Sequence, residues 1–304
     1  MPDIAIAIKV DVDTERGTRL GVPALARVFD ELGIRATFFF SVGPDNTGRA
    51  LRRVFRPGFL KKVRRTSVVG TYGVRTLLNG VLWPGPHIGR RHGDVMRATR
   101  DAGHEVGIHC YDHIRWQDGL PRMRLAEVRD EFGRARTEFA RIFGAPAAAA
   151  AAAGWQADAQ SLQIYDEAGL AYASDTRGST PFFPVVRGRR FRTLQIPTTL
   201  PTLDELMGRP DFPDELLATH YFSLLHRNAV NVMTVHAEIE GMAKRDWFRE
   251  FLTRAVSMRV QFLTLAEVAQ TVLAASDEIV ASELVQGEID GRSGMLAVQG
   301  GAIA

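Results

Sequence analysis

Short apolar runs alternate along the chain with longer segments in which apolar residues recur every three or four positions. The short runs predict β-strands, and the periodic segments predict amphipathic helices. The predicted strands cover residues 4–10, 36–42, 104–109, 147–153, 171–174, 193–197, 231–236 and 260–264. The predicted helices lie near residues 22–32, 90–102, 122–143, 158–168, 214–228, 246–256 and 265–275.

This alternation predicts an α/β fold with parallel strands joined by crossover helices. Seven or eight such units indicate a distorted or incomplete (β/α)7–8 barrel as readily as an open sheet. The alanine run 147–153 favours a helix by propensity, but the alternation requires a strand there, so we predict a strand. Residues 276–304 are rich in glycine and lack periodicity. We therefore expect a domain spanning residues 1–275, followed by a poorly ordered tail.

A chain of 304 residues, 45% of them hydrophobic, is long enough to bury the core of one α/β domain. The single cysteine, Cys110, excludes an intrachain disulfide framework and suits a reducing compartment. The N-terminus enters a strand without the basic and apolar regions of a signal peptide. No apolar run approaches the roughly 20 residues that span a bilayer. These features predict a soluble or peripheral cytoplasmic protein.

Two aspartates, Asp11 and Asp13, close the first predicted strand in the stretch Val-Asp-Val-Asp-Thr. Alternate side chains of a strand share a face, so the two carboxylates repel each other unless a partner holds them. A turn or a helix cap is one explanation, because Asp is common at strand ends. The other is a metal ion bound by one carboxylate, with the second carboxylate acting as a general base.

Further polar residues follow other predicted strands. His109 and His113 lie four residues apart, which in a helical turn places both imidazoles on one face. That spacing is common for two metal ligands, although core histidines also produce it. In a barrel the C-terminal ends of the strands share one rim, where side chains converge. The residues predicted to meet there are Asp11, Asp13, His109, His113, Asp175 and His236.

Asp-x-Asp after the first strand, His-x-x-x-His after the third and a late strand ending in His resemble the polysaccharide deacetylase (NodB-homology, carbohydrate esterase 4-like) family. The stretches DVDTERGTRLGVP, FFSVGPDNTGR, AAAGWQAD and HAEIEG are similar to its deformylase branch, over residues from about 4 to 270. That branch acts on undecaprenyl-phosphate-linked 4-deoxy-4-formamido-L-arabinose in the addition of aminoarabinose to lipid A. The resemblance implies a NodB-type barrel and hydrolysis of the formamide to an amine and formate.

The resemblance also implies roles for the residues of the rim. It makes Asp13, His109 and His113 the ligands of a divalent metal, for which Zn²⁺ is the first choice and Co²⁺ or Mn²⁺ are alternatives. It makes Asp11 the general base and His236 the general acid, with Asp175 orienting or tuning His236.

One feature of the family is missing from the chain. Many deacetylases carry an arginine that pairs with the base, and Ala-Ala-Ala-Gly-Trp occupies its place here. Arg16 and Arg177 are candidates to replace it. Glu238 and Glu240, which follow His236, are either substrate contacts or a solvated turn.

Two other functions are alternatives to the deformylase. A polysaccharide or peptidoglycan N-deacetylase would use the same machinery on an extracellular polymer, and the lack of a signal peptide argues against it. A non-catalytic lipid-sugar binding protein would not need the complete set of ligands, acid and base.

The segment 46–93 contains no Asp or Glu and interleaves basic with large apolar residues. Three interpretations fit this pattern: a solvated basic surface, a patch that binds nucleic acid, or an amphipathic segment that lies among lipid headgroups. Nucleic-acid binding is disfavoured because no nucleic-acid motif is present. We predict that the segment docks on an anionic membrane surface, at the cytoplasmic face of the inner membrane.

Overall fold

The predicted strand–helix alternation is present in the computed structural model, which describes residues 4–50, 73, 76–275 and 279–303. The strands are β1 (Ala5–Val12), β2 (Thr37–Ser41), β3 (Glu105–Cys110), β4 (Ala149–Ala150), β5 (Tyr172–Ala173), β6 (Phe183–Val186), β7 (Arg189–Arg190), β8 (Leu194–Gln195), β9 (Val230–His236), β10 (Gln261–Leu263), β11 (Ala281–Gly287) and β12 (Leu296–Ile303). The helices are α1 (Val22–Leu32), α2 (Ile88–Asp101), α3 (His113–Gly119), α4 (Leu125–Phe143), α5 (Ala159–Ala168), α6 (Leu203–Leu206), α7 (Leu217–Ser223), α8 (Arg245–Ser257) and α9 (Leu265–Ala274).

The larger sheet is parallel and follows the order β10-β1-β2-β3-β4-β5-β8. Strand β9 pairs along β1 on the side opposite β10 and β2. Beyond β8, the backbone N–H groups of Thr199 and Leu200 donate to the carbonyl of Val232 in β9, at 3.2 and 3.1 Å. The sheet thus curls until its two ends meet, which confirms the predicted distorted (β/α) barrel.

The pleat of β1 separates two environments. Its even-numbered apolar residues, such as Ile8 and Val10, pack between the sheet and the surrounding helices. Its odd-numbered residues face the inside of the barrel, where Ala7 packs against a small inner core. Because alternate residues share a face, Lys9 and Asp11 lie on that inner side and are buried. The strand therefore delivers polar groups to the interior at one end only.

Several boundaries differ from the predictions. The alanine run forms a strand only at Ala149–Ala150, and then turns into the loop of the site. Its small side chains make room for the ring of Phe39 in the inner core. The helix predicted near 214–228 is confined to α7. Helix α1 ends as predicted, at Leu32, and Gly33, whose φ is +66°, provides a left-handed C-cap.

The expectation of a poorly ordered tail is wrong for residues 279–303. Strands β11 and β12 form an antiparallel pair, and β11 also pairs in parallel with β6, in a second sheet of order β12-β11-β6-β7. Leu284 and Ala297 are buried against Leu162 and Phe191. The apolar signal was too sparse to reveal these strands, because only a few residues of each are buried.

The basic segment 46–93 is only partly described. Residues 51–72, 74 and 75, half of the predicted membrane dock, lie outside the described residues. The end of the segment, from Ile88 onward, belongs to α2. Among the helices in the described part of the chain, none has the length and apolar character needed to cross a bilayer.

Candidate metal centre and active site

Three side chains of the kind that bind metals converge at the rim of the barrel. Nε2 of His109 lies 3.2 Å and Nε2 of His113 lies 3.4 Å from Oδ1 of Asp13. All three ligand atoms fall within 4.8 Å of one another. Oδ1 of Asp13 is buried and has no hydrogen-bond partner among the described residues. Two imidazoles and one carboxylate fit a divalent ion such as Zn²⁺ and leave room for a water ligand.

The two histidines reach this centre from different elements. His109 lies in β3, and His113 is the first residue of α3, so they meet across a turn rather than along one helical face. Asp112 caps α3, because its side chain accepts hydrogen bonds from the backbone N–H groups of Ile114 and Arg115. The Asn46 amide donates to Oδ2 of Asp112 at 2.6 Å, and the N–H of Asp112 donates to Oε1 of Glu131 at 2.9 Å. These bonds fix the turn that presents His113.

Electrostatics prepare the centre for a cation. Burial alone would raise the pKa of Asp13, but the charges of the nearby His113 and His109 imidazoles outweigh it and hold that pKa well below its ordinary value. Burial also acts to lower the pKa of His109, and the carboxylates of Asp11 and Asp13 reverse this and raise it. The centre thus gathers negative charge, and a bound metal would displace the histidine proton.

Asp11 lies beside the three ligands rather than among them. Its Oδ2 is 3.4 Å from Nζ of Lys9, and its Oδ1 is 3.8 Å from Nδ1 of His109. Oδ1 is buried and accepts no hydrogen bond from the described residues. The two aspartates of the first strand therefore have different neighbours, with Asp13 facing the imidazole Nε2 atoms and Asp11 facing a lysine.

The cation next to Asp11 is Lys9, which the sequence-based reasoning missed. Of the two suggested arginines, Arg16 contacts Met242 and Arg177 pairs with Glu205 at 2.6 Å. The available signal was a lysine inside an apolar strand, at the spacing that places it on the face of Asp11.

His236 ends β9, where it is the direct register partner of Asp11. Its backbone N–H donates to Oε2 of Glu240 at 2.8 Å. The imidazole lies edge-on to the Trp155 ring, with the ring centroids 6.4 Å apart, and its Nδ1 is buried without a hydrogen bond from the described residues. The structure therefore brings His236 to the same rim as Asp11.

Asp175 is buried behind this rim. It accepts a hydrogen bond from the N–H of Ala152 at 2.6 Å and one from the Gln195 amide at 3.2 Å. Burial raises the pKa of Asp175 to about 6, and the charge of Lys9 acts against that rise. Among the described residues no hydrogen bond links Asp175 to His236, so its direct contacts are with the loop after β4 and with β8.

Glu238 and Glu240 are fully buried, which excludes the solvated turn, one of the two interpretations that the sequence left open. Oε1 of Glu238 accepts hydrogen bonds from Thr14 through its N–H at 2.9 Å and its hydroxyl at 2.7 Å, and from the N–H of Asp13 at 3.2 Å. A Cβ at Gly17 would overlap this oxygen, which explains the glycine there. Burial raises the pKa of both glutamates to about 8. Glu238 thus fixes the loop of Asp13, and Glu240 fixes the backbone of His236.

The raised pKa of Glu240 predicts a dependence of stability on pH. The folded protein keeps this proton up to about pH 8, whereas an unfolded chain releases it near the ordinary value of 4.5. Stability therefore decreases as pH rises through that window, by up to about 1.4 kcal/mol per pH unit from this group. Glu240→Gln cannot ionise at this position, so we expect its Tm to decrease less than that of the parent between pH 6 and pH 8.

Thermal unfolding of the metal-free proteins measures this difference. Glu250→Gln, at an exposed position on α8, serves as the control and should follow the parent. Parallel Tm curves for Glu240→Gln and the parent would contradict the assignment.

Trp155 contacts both His236 at the rim and Arg292 near the C-terminus with its ring. Its φ of +53° is unusual for a large side chain and indicates local strain. Cations surround its ring, with Lys9 at 5.2 Å, Arg177 at 5.4 Å and Arg292 at 4.3 Å from the ring. Arg292 comes from the segment between β11 and β12 and lies 3.2 Å from Oε1 of Glu205. The C-terminal strands thus contribute to the surroundings of the site.

The chain belongs to the polysaccharide deacetylase family, whose sequence profile matches residues 5–173. This membership confirms the sequence-based expectation of an amide-hydrolysing enzyme. A protein of Shewanella sediminis (strain HAW-EB3), named as the 4-deoxy-4-formamido-L-arabinose-phosphoundecaprenol deformylase ArnD, is 37% identical over 98% of this chain and 95% of its own length. A protein of the same name from Wigglesworthia glossinidia brevipalpis is 33% identical over 93% of this chain and 98% of its own length.

Solved structures show the same fold at lower identity. A polysaccharide deacetylase from Mycobacterium smegmatis superposes with a TM-score of 0.63 at 17% identity, covering 95% of this chain and 97% of that chain. Puue allantoinase superposes with a TM-score of 0.59 at 18% identity, covering 90% of this chain and 91% of that chain. The barrel is therefore that of the deacetylase family.

Proposed function

We propose that the protein hydrolyses the formamide of undecaprenyl-phosphate-linked 4-deoxy-4-formamido-L-arabinose to the free amine and formate, in the addition of aminoarabinose to lipid A. The observation that carries the proposal is the cluster of Asp13, His109 and His113 with Asp11 and His236 beside it at one rim. The names of the two relatives, which match nearly the whole chain, support this substrate.

The residues divide the chemistry between them. A divalent metal held by Asp13, His109 and His113 would polarise the formamide oxygen and make a bound water acidic. Zn²⁺ is the first choice for this set, with Co²⁺ and Mn²⁺ as alternatives. Asp11 takes the proton of the water as it adds to the formyl carbon. His236 protonates the sugar nitrogen as the carbon–nitrogen bond breaks, and formate leaves.

The direct test is formate release from the lipid-linked formamido sugar, followed by mass spectrometry of the sugar product. We expect formate from the parent and none from Asp13→Ala. An N-acetylated oligosaccharide serves as the control substrate, because the same machinery on a polymer would release acetate from it. Acetate release without formate release would replace the deformylase with the polysaccharide N-deacetylase.

We also propose that the protein binds peripherally to the cytoplasmic face of the inner membrane through its basic segment. A lipid-linked substrate presents its sugar at a bilayer surface. The described end of the segment carries an exposed apolar tip, in which Val81, Leu82 and Trp83 are 53%, 66% and 43% exposed. Asn79, at the base of this tip, donates to Asp45, the neighbour of the Asn46 that fixes the His113 turn. A membrane contact at the tip would therefore lie close to the metal ligands.

Charge reversal tests the docking. The test variant changes Arg52, Arg53, Lys61 and Lys62 to Glu. Each basic residue near an anionic surface contributes about 1 kcal/mol, so we expect at least a tenfold loss of flotation with anionic liposomes. The control changes four exposed arginines elsewhere to Glu, namely Arg122, Arg136, Arg187 and Arg190. If the test variant floats as well as the parent, or if both variants lose flotation equally, the segment is not the dock.

A further inference from the structure

Lys9 is the one cation of strand β1, whose other residues apart from Asp11 are apolar, and its side chain has no exposed surface. Lysine is almost never fully buried unless it is paired. Its ammonium donates to the carbonyl of Ser174 at 2.8 Å and lies 3.4 Å from Oδ2 of Asp11. The aromatic rings of Trp155 and Phe39 enclose it at 5.2 and 5.9 Å. The protein therefore holds this cation in one place, with little freedom to move.

Keeping a charge at this position is costly. Burial lowers the pKa of Lys9, and the carboxylates of Asp11 and Asp175 act in the opposite direction. The inner core next to it is built of small or apolar residues such as Ala7 and Val232. An apolar side chain would suit such surroundings, so the lysine calls for an explanation beyond packing.

The geometry of Asp11 supplies that explanation. Its two carboxylate oxygens have different surroundings, because Oδ2 faces Lys9 while Oδ1 faces His109 and accepts no hydrogen bond from the described residues. Lys9 and Asp11 share a face of β1, so the pleat of the strand sets their separation. The ammonium occupies one oxygen and leaves the other available on the side of the metal ligands.

We propose that Lys9 is a positioning residue for the hydrolysis, whose ammonium holds Asp11 by Oδ2 so that Oδ1 is directed at the attacking water. This inference rests on the proposed function of the rim. Lys9 does not touch the substrate and acts only through Asp11.

Lys9→Met keeps the length of the side chain and removes its charge. Misplacing a catalytic group by about 1 Å can cost about 100-fold in rate, so we expect kcat to fall by about that factor. We expect KM to stay within about threefold of the parent and the metal content to be unchanged, because the metal ligands are untouched. Lys9→Arg, which keeps a cation, is expected to recover at least part of the lost kcat.

A double-mutant cycle separates positioning from a structural role. If Lys9 acts only through Asp11, the double variant that combines Asp11→Asn with Lys9→Met should have the same residual activity as the single variant Asp11→Asn. Losses that multiply in the double variant, or full kcat in Lys9→Met, would overturn the proposal. If Lys9→Met does not fold, Lys9→Met with Asp175→Asn removes one positive and one negative charge together and is tested in the same cycle.

A crystal structure of the Lys9→Met protein gives a readout that does not depend on turnover. We expect the Asp11 carboxylate to leave its position or to occupy more than one rotamer, and an unmoved, singly ordered carboxylate would count against the proposal. Parent turnover is measured alongside the variants. If the parent releases no formate, the proposed function is wrong. The position of the Asp11 carboxylate in the crystal structure tests the role of Lys9 independently of that result.

Discussion

Replacing Asp11 by Asn is expected to leave the metal bound and to lower turnover by about 100- to 10,000-fold, whereas Asp13→Ala is expected to lose the metal itself. Asp13 lies within ligand distance of both histidines, and a ligand sets metal affinity. Asp11 lies outside this set, and a general base acts only on the proton in transfer. Elemental analysis of the purified proteins and formate release measure the two effects.

Asp101→Asn, at an exposed position of α2, is the matched control and should keep both metal and activity. Equal metal loss in Asp11→Asn and Asp13→Ala would contradict the assignment of Asp13 as a metal ligand and Asp11 as the general base. In that case the 3.8 Å approach of Asp11 Oδ1 to Nδ1 of His109 would identify Asp11 as the carboxylate that orients a metal ligand.

Removing the imidazole of His236 is expected to lower turnover by a comparable factor and to change its pH dependence. A general acid must carry its proton in the reactive complex, so activity in the parent falls at alkaline pH as the imidazolium deprotonates. His236→Ala has no such group, and the alkaline limb should flatten. The metal should stay bound, because His236 is not one of the three clustered ligands.

The measurement is the pH–rate profile of formate release for the parent, His236→Ala and a control. His226→Ala removes an exposed histidine before β9 and should reproduce the profile of the parent. An unchanged alkaline limb in His236→Ala would refute its assignment as the general acid. Loss of metal in His236→Ala would show instead that the residue supports the centre.

The convergence of the candidate ligands could be predicted because their residues stand at or just after strand ends, and the C-terminal ends of the strands in a barrel share one rim. That rule brought Asp13, His109 and His113 together, whereas their assignment as metal ligands came from the resemblance to the deacetylase family. Lys9 was missed although its spacing places it on the face of Asp11, because its hydrogen-bond partner Ser174 lies far along the chain and the strand pattern does not show that the lysine is fully buried.

The glutamates after His236 show a second limit of sequence reasoning. Local pattern suggested a solvated turn, since acidic residues are rarely buried alone. Their burial comes from the chain after Asp13, which packs so closely on Glu238 that only glycine fits at Gly17. Contacts between segments so distant in sequence have no signature in either segment.

The pairing of β1 has a consequence for how the enzyme becomes competent during synthesis. The first 113 residues contain Asp13, His109 and His113, the whole cluster of potential metal ligands. The strand that leads to Asp13 is nevertheless completed by β9 and β10, which the ribosome makes near the end of the chain. Such distant pairing makes folding slow, because a long loop must close before the contacts form. A nascent chain halted before Val230 therefore carries all three candidate ligands yet lacks one of the two strands that pair beside Asp11, so we expect its metal site to form only once β9 has been made.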